Sequence, residues 1–281
     1  AAGDVLLVTP RDAIGGAKRT FGFTITSGGA AAPTTGNFHL SVLGAVVARG
    51  KLDWKRDGEA LTAEASVEVP TVRRACGTRW RVEAGERTAA ASGWLFPAAR
   101  EVARGLFSSP RVVFVGAPTA VQELSEHVGG RARFLDSRRR VPDDYTLAFV
   151  AADNLTGSAT AEWIRSARAG KQAVFLGSGE RMPLGCRPLG EAEWMVNAAP
   201  QHPLFEELHP DWLIGSDRKT PCFSFPEQGS FRALIHGETA GRSLGAVLLE
   251  APVGRGWCVL CALPALTRFI EEPAAPSVLT A

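Results

Sequence analysis

The sequence predicts two domains of different class, an all-β sandwich over residues 1–97 followed by an open α/β sheet over residues 98–281. Three observations carry this. The 281 residues are close to two domains at about 150 residues each. Up to Pro97 the apolar residues come in bursts of strand length separated by Gly, Pro, Asn or Asp clusters, the rhythm of an all-β unit. After Pro97 unbroken apolar runs alternate with helix-length segments, which is how strands covered on both faces of a parallel sheet read.

In the first domain the candidate strands are residues 5–8, 20–26, 38–43, 46–54, 61–70, 79–84 and 89–96. The clearest is 61–70, where Leu61, Ala63, Ala65, Val67 and Val69 face one way and Thr62, Glu64, Ser66 and Glu68 the other; period two means a half-buried strand. Seven strands in this length predict an immunoglobulin-like sandwich, with Trp80 and Trp94 in its core. The segment 97–109 carries the change of rhythm and is expected to hold the linker or boundary.

In the second domain the first buried strand is 111–116. Pro118 then sits where a first helical turn tolerates it, and the helix runs to Val128 before the Gly129-Gly130 stop. Strands at 132–135 and 146–151, a helix at 158–169 closed by Gly170, and a strand at 172–177 complete a β-α-β-β-α-β order. Beyond Gly190 the strands 231–235, 245–250 and 256–263 are expected to add antiparallel pieces to the sheet.

Composition narrows the function. The formal net charge is +2, too small a field to hold nucleic acid or an anionic membrane. The longest apolar stretches fall far short of the roughly 20 residues that cross a bilayer. Cys76, Cys186, Cys222, Cys258 and Cys261 are odd in number and scattered, so reduced thiols are expected; this favours a cytoplasmic setting without fixing the compartment. The run Arg138-Arg139-Arg140 reads as a solvated loop.

Ligands of open α/β sheets gather beyond the carboxyl ends of the parallel strands. The residues placed there are Gly116-Ala117, Asp153-Asn154 and Gly177-Ser178-Gly179-Glu180, so Asp153, Asn154 and Ser178 are the ligand-binding candidates. A serine nucleophile needs the sharp G-x-S-x-G turn, but Leu176 and Glu180 stand where glycines are required. The strand order resembles, at fold level, the flavodoxin-like sheet of class I glutamine amidotransferases, whose Cys would fall at position 178. His236-Gly237-Glu238 copies the His-x-Glu pair of such enzymes, giving an alternative triad of Ser178, His236 and Glu238, although Gly237 and Gly241 also read as a hairpin turn.

Other candidates are weaker. Cys258-Val-Leu-Cys261 lies in a strand pattern, not at the helix N-terminus that lowers thiol pKa in redox motifs. His202 and His209 lack the i, i+4 spacing of a helical metal pair. Asp143-Asp144, Glu206-Glu207 and Glu271-Glu272 are adjacent pairs, whereas a glycosidase sets two carboxylates facing each other about 5–10 Å apart. No catalytic set, metal site or cofactor site is expected.

Short matches run in order along the chain: Asp4-Val-Leu-Leu-Val-Thr-Pro-Arg11, Val67-Glu-Val-Pro70, Trp94-Leu-Phe-Pro97, Ala152-Asp-Asn154, His202-Pro-Leu-Phe205, the stretch Leu248 to Cys261, and Glu272-Pro-Ala-Ala275. Through them the sequence resembles the non-barrel, C-terminal region of glycoside hydrolase family 2 proteins of the β-galactosidase type. The resemblance implies an immunoglobulin-like module and an amidotransferase-like module that follow a catalytic (β/α)₈ barrel. It implies a non-catalytic accessory segment whose partner is the barrel of a parent polypeptide or another subunit, and which supports that barrel, its assembly or the binding of a carbohydrate. The barrel's catalytic glutamates have no counterpart here. The terminal helix that continues the family pattern is replaced by Pro276-Ser-Val-Leu-Thr-Ala281, which points to an excised or truncated segment.

Overall fold

The computed structural model describes residues 5–26, 34–177, 181–207, 219–227 and 229–263. The fold is mostly β, in three sheets, and the chain divides into two compact units, Ala1–Glu101 and Val102–Ala281.

The first unit contains β1 (Val5–Thr9), β2 (Ala13–Ile14), β3 (Lys18–Thr26), β4 (Thr35–Val42), β5 (Ala45–Asp53), β6 (Lys55–Asp57), β7 (Ala60–Glu68), β8 (Cys76–Ala84) and β9 (Arg87–Phe96). They form a four-stranded sheet in the order β1-β3-β7-β6 and a five-stranded sheet in the order β2-β9-β8-β4-β5. The seven expected strands are present. The short β2 and β6 escape the sequence pattern because two or three residues cannot display a period. Alternation decides the core: Phe21, Phe23 and Ile25 of β3, Leu61 and Val67 of β7, Phe38 and Leu40 of β4 and Trp80 and Val82 of β8 are buried. Trp80 meets Phe21, Phe23 and Phe38 with ring centroids 4.6, 5.3 and 5.9 Å away.

Trp94, expected in this core, is only half-buried, while its neighbours Leu95 and Phe96 are buried. Its backbone N–H donates to Asp12 Oδ1 at 2.7 Å. Burial pushes the Asp12 carboxyl above its ordinary range, against the lowering effects of that hydrogen bond and of Arg11. A raised carboxyl pKa means that the folded state holds the proton more tightly than the unfolded chain. Stability therefore falls as pH rises through the interval between the ordinary and the raised value, and the penalty is fully present above it. Asp12→Asn keeps an acceptor for Trp94 and is expected to raise the urea midpoint at pH 7 relative to wild type. The two proteins should converge below pH 4, and a variant less stable at pH 7 would refute the assignment.

The second unit opens differently from expectation. The segment read as a linker contains α1 (Ala99–Leu106), because Ala103, Leu106 and the following Phe107 provide one apolar face, and all three are buried. Phe107 packs edge-on to Phe114 at 5.2 Å, and its carbonyl accepts from the N–H groups of Arg131 and Ala132 at 2.7 and 3.0 Å.

There follow β10 (Val112–Val115), α2 (Thr119–His127), β11 (Arg133–Leu135), β12 (Leu147–Ala151), one 3₁₀ turn (Ala152–Asn154), α3 (Gly157–Arg168) and β13 (Gln172–Leu176). This is the expected β-α-β-β-α-β order. Beyond it lie β14 (Arg187–Ala192), β15 (Trp194–Asn197), the single turn α4 (Leu204–Glu207), β16 (Thr220–Ser224), β17 (Arg232–Thr239), β18 (Arg242–Val253) and β19 (Gly256–Cys261). The glycine expected to form a hairpin turn, Gly237, lies inside β17; the turn is Ala240-Gly241, both at positive φ.

All these strands share one sheet, in the order β11-β10-β12-β13-β19-β18-β16-β14, with β17 on the other edge of β18 and β15 on β17. The pairs β10–β11, β10–β12, β12–β13 and β13–β19 are parallel, and the rest antiparallel. Within the parallel part the sequence order is 2-1-3-4-5, which reverses between β10 and β12. Phe114 stacks between Phe134 and Phe149 at 5.2 and 5.0 Å. The helix α3 buries Trp163 and Ala167, and Trp163 meets Tyr145 edge-on at 5.3 Å.

Candidate functional site

The reversal between β10 and β12 leaves a crevice past the carboxyl ends of these strands, where neighbouring connections diverge to opposite faces of the sheet. β10 ends in Gly116, whose φ of +66° favours a residue without Cβ. Its N–H donates to Leu135 O at 2.9 Å, and its carbonyl accepts from Asn154 Nδ2 at 3.2 Å. Asn154 therefore braces the two sides of the switch point. Asp153 and Asn154 are exposed, in the turn that immediately follows β12. Past β13, a Cβ on Gly177 would lie 2.8 Å from Asp153 Oδ1, so the bare backbone of Gly177 leaves room for the carboxylate. Asp153 and Asn154 are thus brought together with Gly116 and Gly177. Ser178, the third candidate, lies outside the described residues. Arg181, which the sequence pattern did not single out, reaches back to donate to Leu155 O at 3.3 Å.

The nearest thiol at this edge is Cys261, the last residue of β19 and the ladder partner of Leu176. Burial pushes its pKa up to about 12, so it is a neutral thiol at ordinary pH and a poor nucleophile. Cys258 is likewise pushed up to about 12 by burial, against the influence of Arg168. Both are buried, although residues three apart point to opposite faces, because this strand is covered on each side. Burial also raises Cys222 and pushes Cys186 up to about 11.

The candidate histidines His236 and His202 are tied elsewhere. His236 donates from Nδ1 to Gly245 O at 3.3 Å. Its neighbour Ile235 pairs with Leu248, which pairs with Cys261, which pairs with Leu176. Three ladder steps of about 4.8 Å each separate β17 from β13, which carries the chain toward Ser178. His202 accepts the Leu204 N–H on Nδ1 at 3.2 Å. The proton is thereby placed on Nε2, which donates to Glu250 Oε2 at 3.1 Å. Arg232 stands 3.6 Å from the other carboxylate oxygen. Both imidazole nitrogens of His202 are committed, so this pair joins the segment after β15 to β18 and leaves no free base. Glu250 and Arg232 were invisible as partners because they lie on other strands.

Of the acidic pairs, Asp144 takes Arg133 Nη1 at 2.8 Å, and that hydrogen bond holds its carboxyl below the ordinary range. Glu271 and Glu272, like His209, lie outside the described residues. Among the described residues no group of three or more His, Cys, Asp or Glu could hold a metal ion, and no helix is long and apolar enough to cross a membrane.

No protein-family model matches the sequence, and no curated protein matches it. Solved structures do. An exo-β-1,4-mannosidase from Opitutaceae bacterium strain TAV5 aligns over 63% of this chain and 36% of its own, with 10% identity and a TM-score of 0.40. The β-galactosidase of Bacillus circulans sp. alkalophilus aligns over 60% of this chain and 30% of its own, with 12% identity and a TM-score of 0.34. The β-galactosidase of Rahnella sp. R3 aligns over 60% and 31%, with 10% identity and a TM-score of 0.35. The chain spans about a third of the length of these structures.

Proposed function

We propose that this chain is a non-catalytic accessory segment of a glycoside hydrolase, an immunoglobulin-like sandwich and an amidotransferase-like α/β unit that support a catalytic barrel, its assembly or its hold on a glycan. The observation that carries the reading is the chemistry of the carboxyl edge of the parallel strands. Among the described residues this edge presents Asp153 and Asn154, with Asn154 bonded to Gly116, and a thiol, Cys261, that is held neutral. Acyl transfer requires an activated nucleophile within hydrogen-bond reach of a base; glycoside hydrolysis requires two opposed carboxylates. Neither set is assembled by the described side chains. The ordered sequence resemblance to family 2 proteins supports the choice of parent enzyme, and the 2-1-3-4-5 order of the parallel strands supports the flavodoxin-like, amidotransferase-like description of the second unit.

The test is direct. The purified chain, assayed with nitrophenyl β-galactoside, β-mannoside and β-glucoside, is expected to release nitrophenol no faster than buffer alone. Turnover at an enzyme-like rate, about 1 s⁻¹ or more, would overturn the proposal. A second reading, a small-ligand module using Asp153, Asn154 and Ser178, is favoured by the exposure of Asp153 and Asn154 just past the carboxyl end of β12. Titration calorimetry with sugars and nucleotides distinguishes it, since a crevice ligand should lose affinity in Asn154→Ala.

A further inference from the structure

Trp194 is 60% exposed on β15, away from the crevice. β15 pairs with β17 on one side and with no other strand among the described residues. Along β15, Met195 turns inward and is buried, while Trp194 and Val196 turn outward. Cross-strand partners share a face, and the register places Glu238 directly opposite Trp194 and His236 opposite Val196.

The same face thus carries an indole, a carboxylate and an imidazole in a patch one strand spacing, about 4.8 Å, wide and two residues long. Glu238 makes no side-chain hydrogen bond or ion pair with the described residues. The donation from His236 Nδ1 to Gly245 O leaves Nε2 as an acceptor in the neutral ring. The ladder between β17 and β18 shifts register three times, at Ala233/Ile235, Ile235/His236 and Gly237/Glu238, and such bulges re-aim side chains.

The chemistry selects the ligand. Trp194 and Val196 together expose on the order of 200 Å², well under the roughly 800 Å² per partner of a stable protein interface. A purely apolar partner would bury the Glu238 carboxylate without a donor, at a cost of several kcal/mol. An anionic ligand would be repelled by it. A ligand that suits the patch has a flat apolar face for the indole and hydroxyl donors at its rim for Glu238 and His236. A pyranose ring has both.

We propose that Trp194, Glu238 and His236 form a binding site for a pyranose unit of a polysaccharide, with the sugar's C–H face on the indole and its hydroxyls donating to the Glu238 carboxylate and to His236 Nε2. This deepens the accessory reading above, which supplies the preference for a sugar over an amine, by giving the glycan a place distinct from the crevice at Asp153 and Asn154.

The experiment is affinity electrophoresis of the purified chain in native gels containing soluble β-mannan, galactan, β-glucan or xylan. The wild type is expected to be retarded by at least one polymer. Trp194→Ala should abolish the retardation, a loss of tenfold or more in apparent affinity, while Trp194→Phe retains part of it and Glu238→Gln weakens it. Because these side chains lie at the surface, the variants should melt with the wild type, and melting curves check this. Three outcomes would each overturn the site: no retardation in any gel, equal retardation of wild type and Trp194→Ala, or a sedimentation-detected dimer or an amine affinity that depends on Trp194 in place of polysaccharide binding. None of them bears on whether the chain itself hydrolyses glycosides, so this failure is distinguishable from failure of the accessory reading.

Discussion

Replacing Trp80 with alanine is expected to destabilise the N-terminal unit by about 3–5 kcal/mol, the range for large aromatic truncations in a core. Trp80 lies on β8 between the two sheets, is 2% exposed, and touches Phe21 and Phe23 of the facing sheet and Phe38 of its own. Removing the indole opens a cavity bounded by three other large rings, none of which can fill it without leaving its own packing. Urea unfolding followed by far-UV circular dichroism should show a much lower midpoint for this unit. Since domains have only about 5–15 kcal/mol in hand, the variant is at risk of unfolding at 37 °C. Trp80→Phe, which keeps an aromatic ring in the site, should lose clearly less. A loss under about 1 kcal/mol in Trp80→Ala would show that the two sheets close over the gap and that this cluster does not hold them together.

Gly256→Ala is the second substitution with a large expected effect, about 3 kcal/mol or more, at the upper end of what overpacking usually costs. Gly256 opens β19, and a Cβ there would collide with the carbonyl oxygens of Lys171 and Ala167. Both obstacles are backbone, belonging to the end of α3 and the approach to β13, so no side chain can swing away. The strand would have to separate from the helix terminus, weakening the contacts that place β19 beside β13. The measurement is again equilibrium unfolding, now of the C-terminal unit. An unchanged midpoint would mean that the end of α3 yields freely.

Much of the architecture was readable along the chain. The alternation from Leu61 to Val69 placed β7 with its buried face correct, because one side of an antiparallel strand is wet and the pattern records it. The parallel strands β10, β12 and β13 were found as unbroken apolar runs because both their faces are covered. Gly129 and Gly170 marked the helix ends through positive φ, at +70° and +113°. The strands β14 and β15 were missed for the opposite reason. Five of the six residues of β14 are exposed, and Pro188 and Gly190 interrupt it, so no periodicity survives. The helix α1 was taken for a linker because its apolar face is only two residues wide before Phe107.

For the candidate site the division is similar. Asp153 and Asn154 could be placed at the end of a predicted strand, since a buried run followed by polar residues marks where a strand leaves the sheet. Their roles could not be derived from spacing: the bond from Asn154 to Gly116 spans 38 residues, and that from His202 to Glu250 spans 48. Trp194 could not be singled out from the sequence, because its exposure follows from which side of β15 meets the core.

The sequence by itself determined the strands and helices whose apolar pattern is long enough to show a period, and how weak the overall charge is, because these depend on periodicity, local backbone preference and composition. Only the tertiary structure decided that β19 inserts beside β13, that Cys261 is a neutral buried thiol, and that Trp194, Glu238 and His236 share one face. Those outcomes are set by strand order and register, which come from packing between distant segments, and a one-residue shift of register would have turned each of these side chains to the opposite surface.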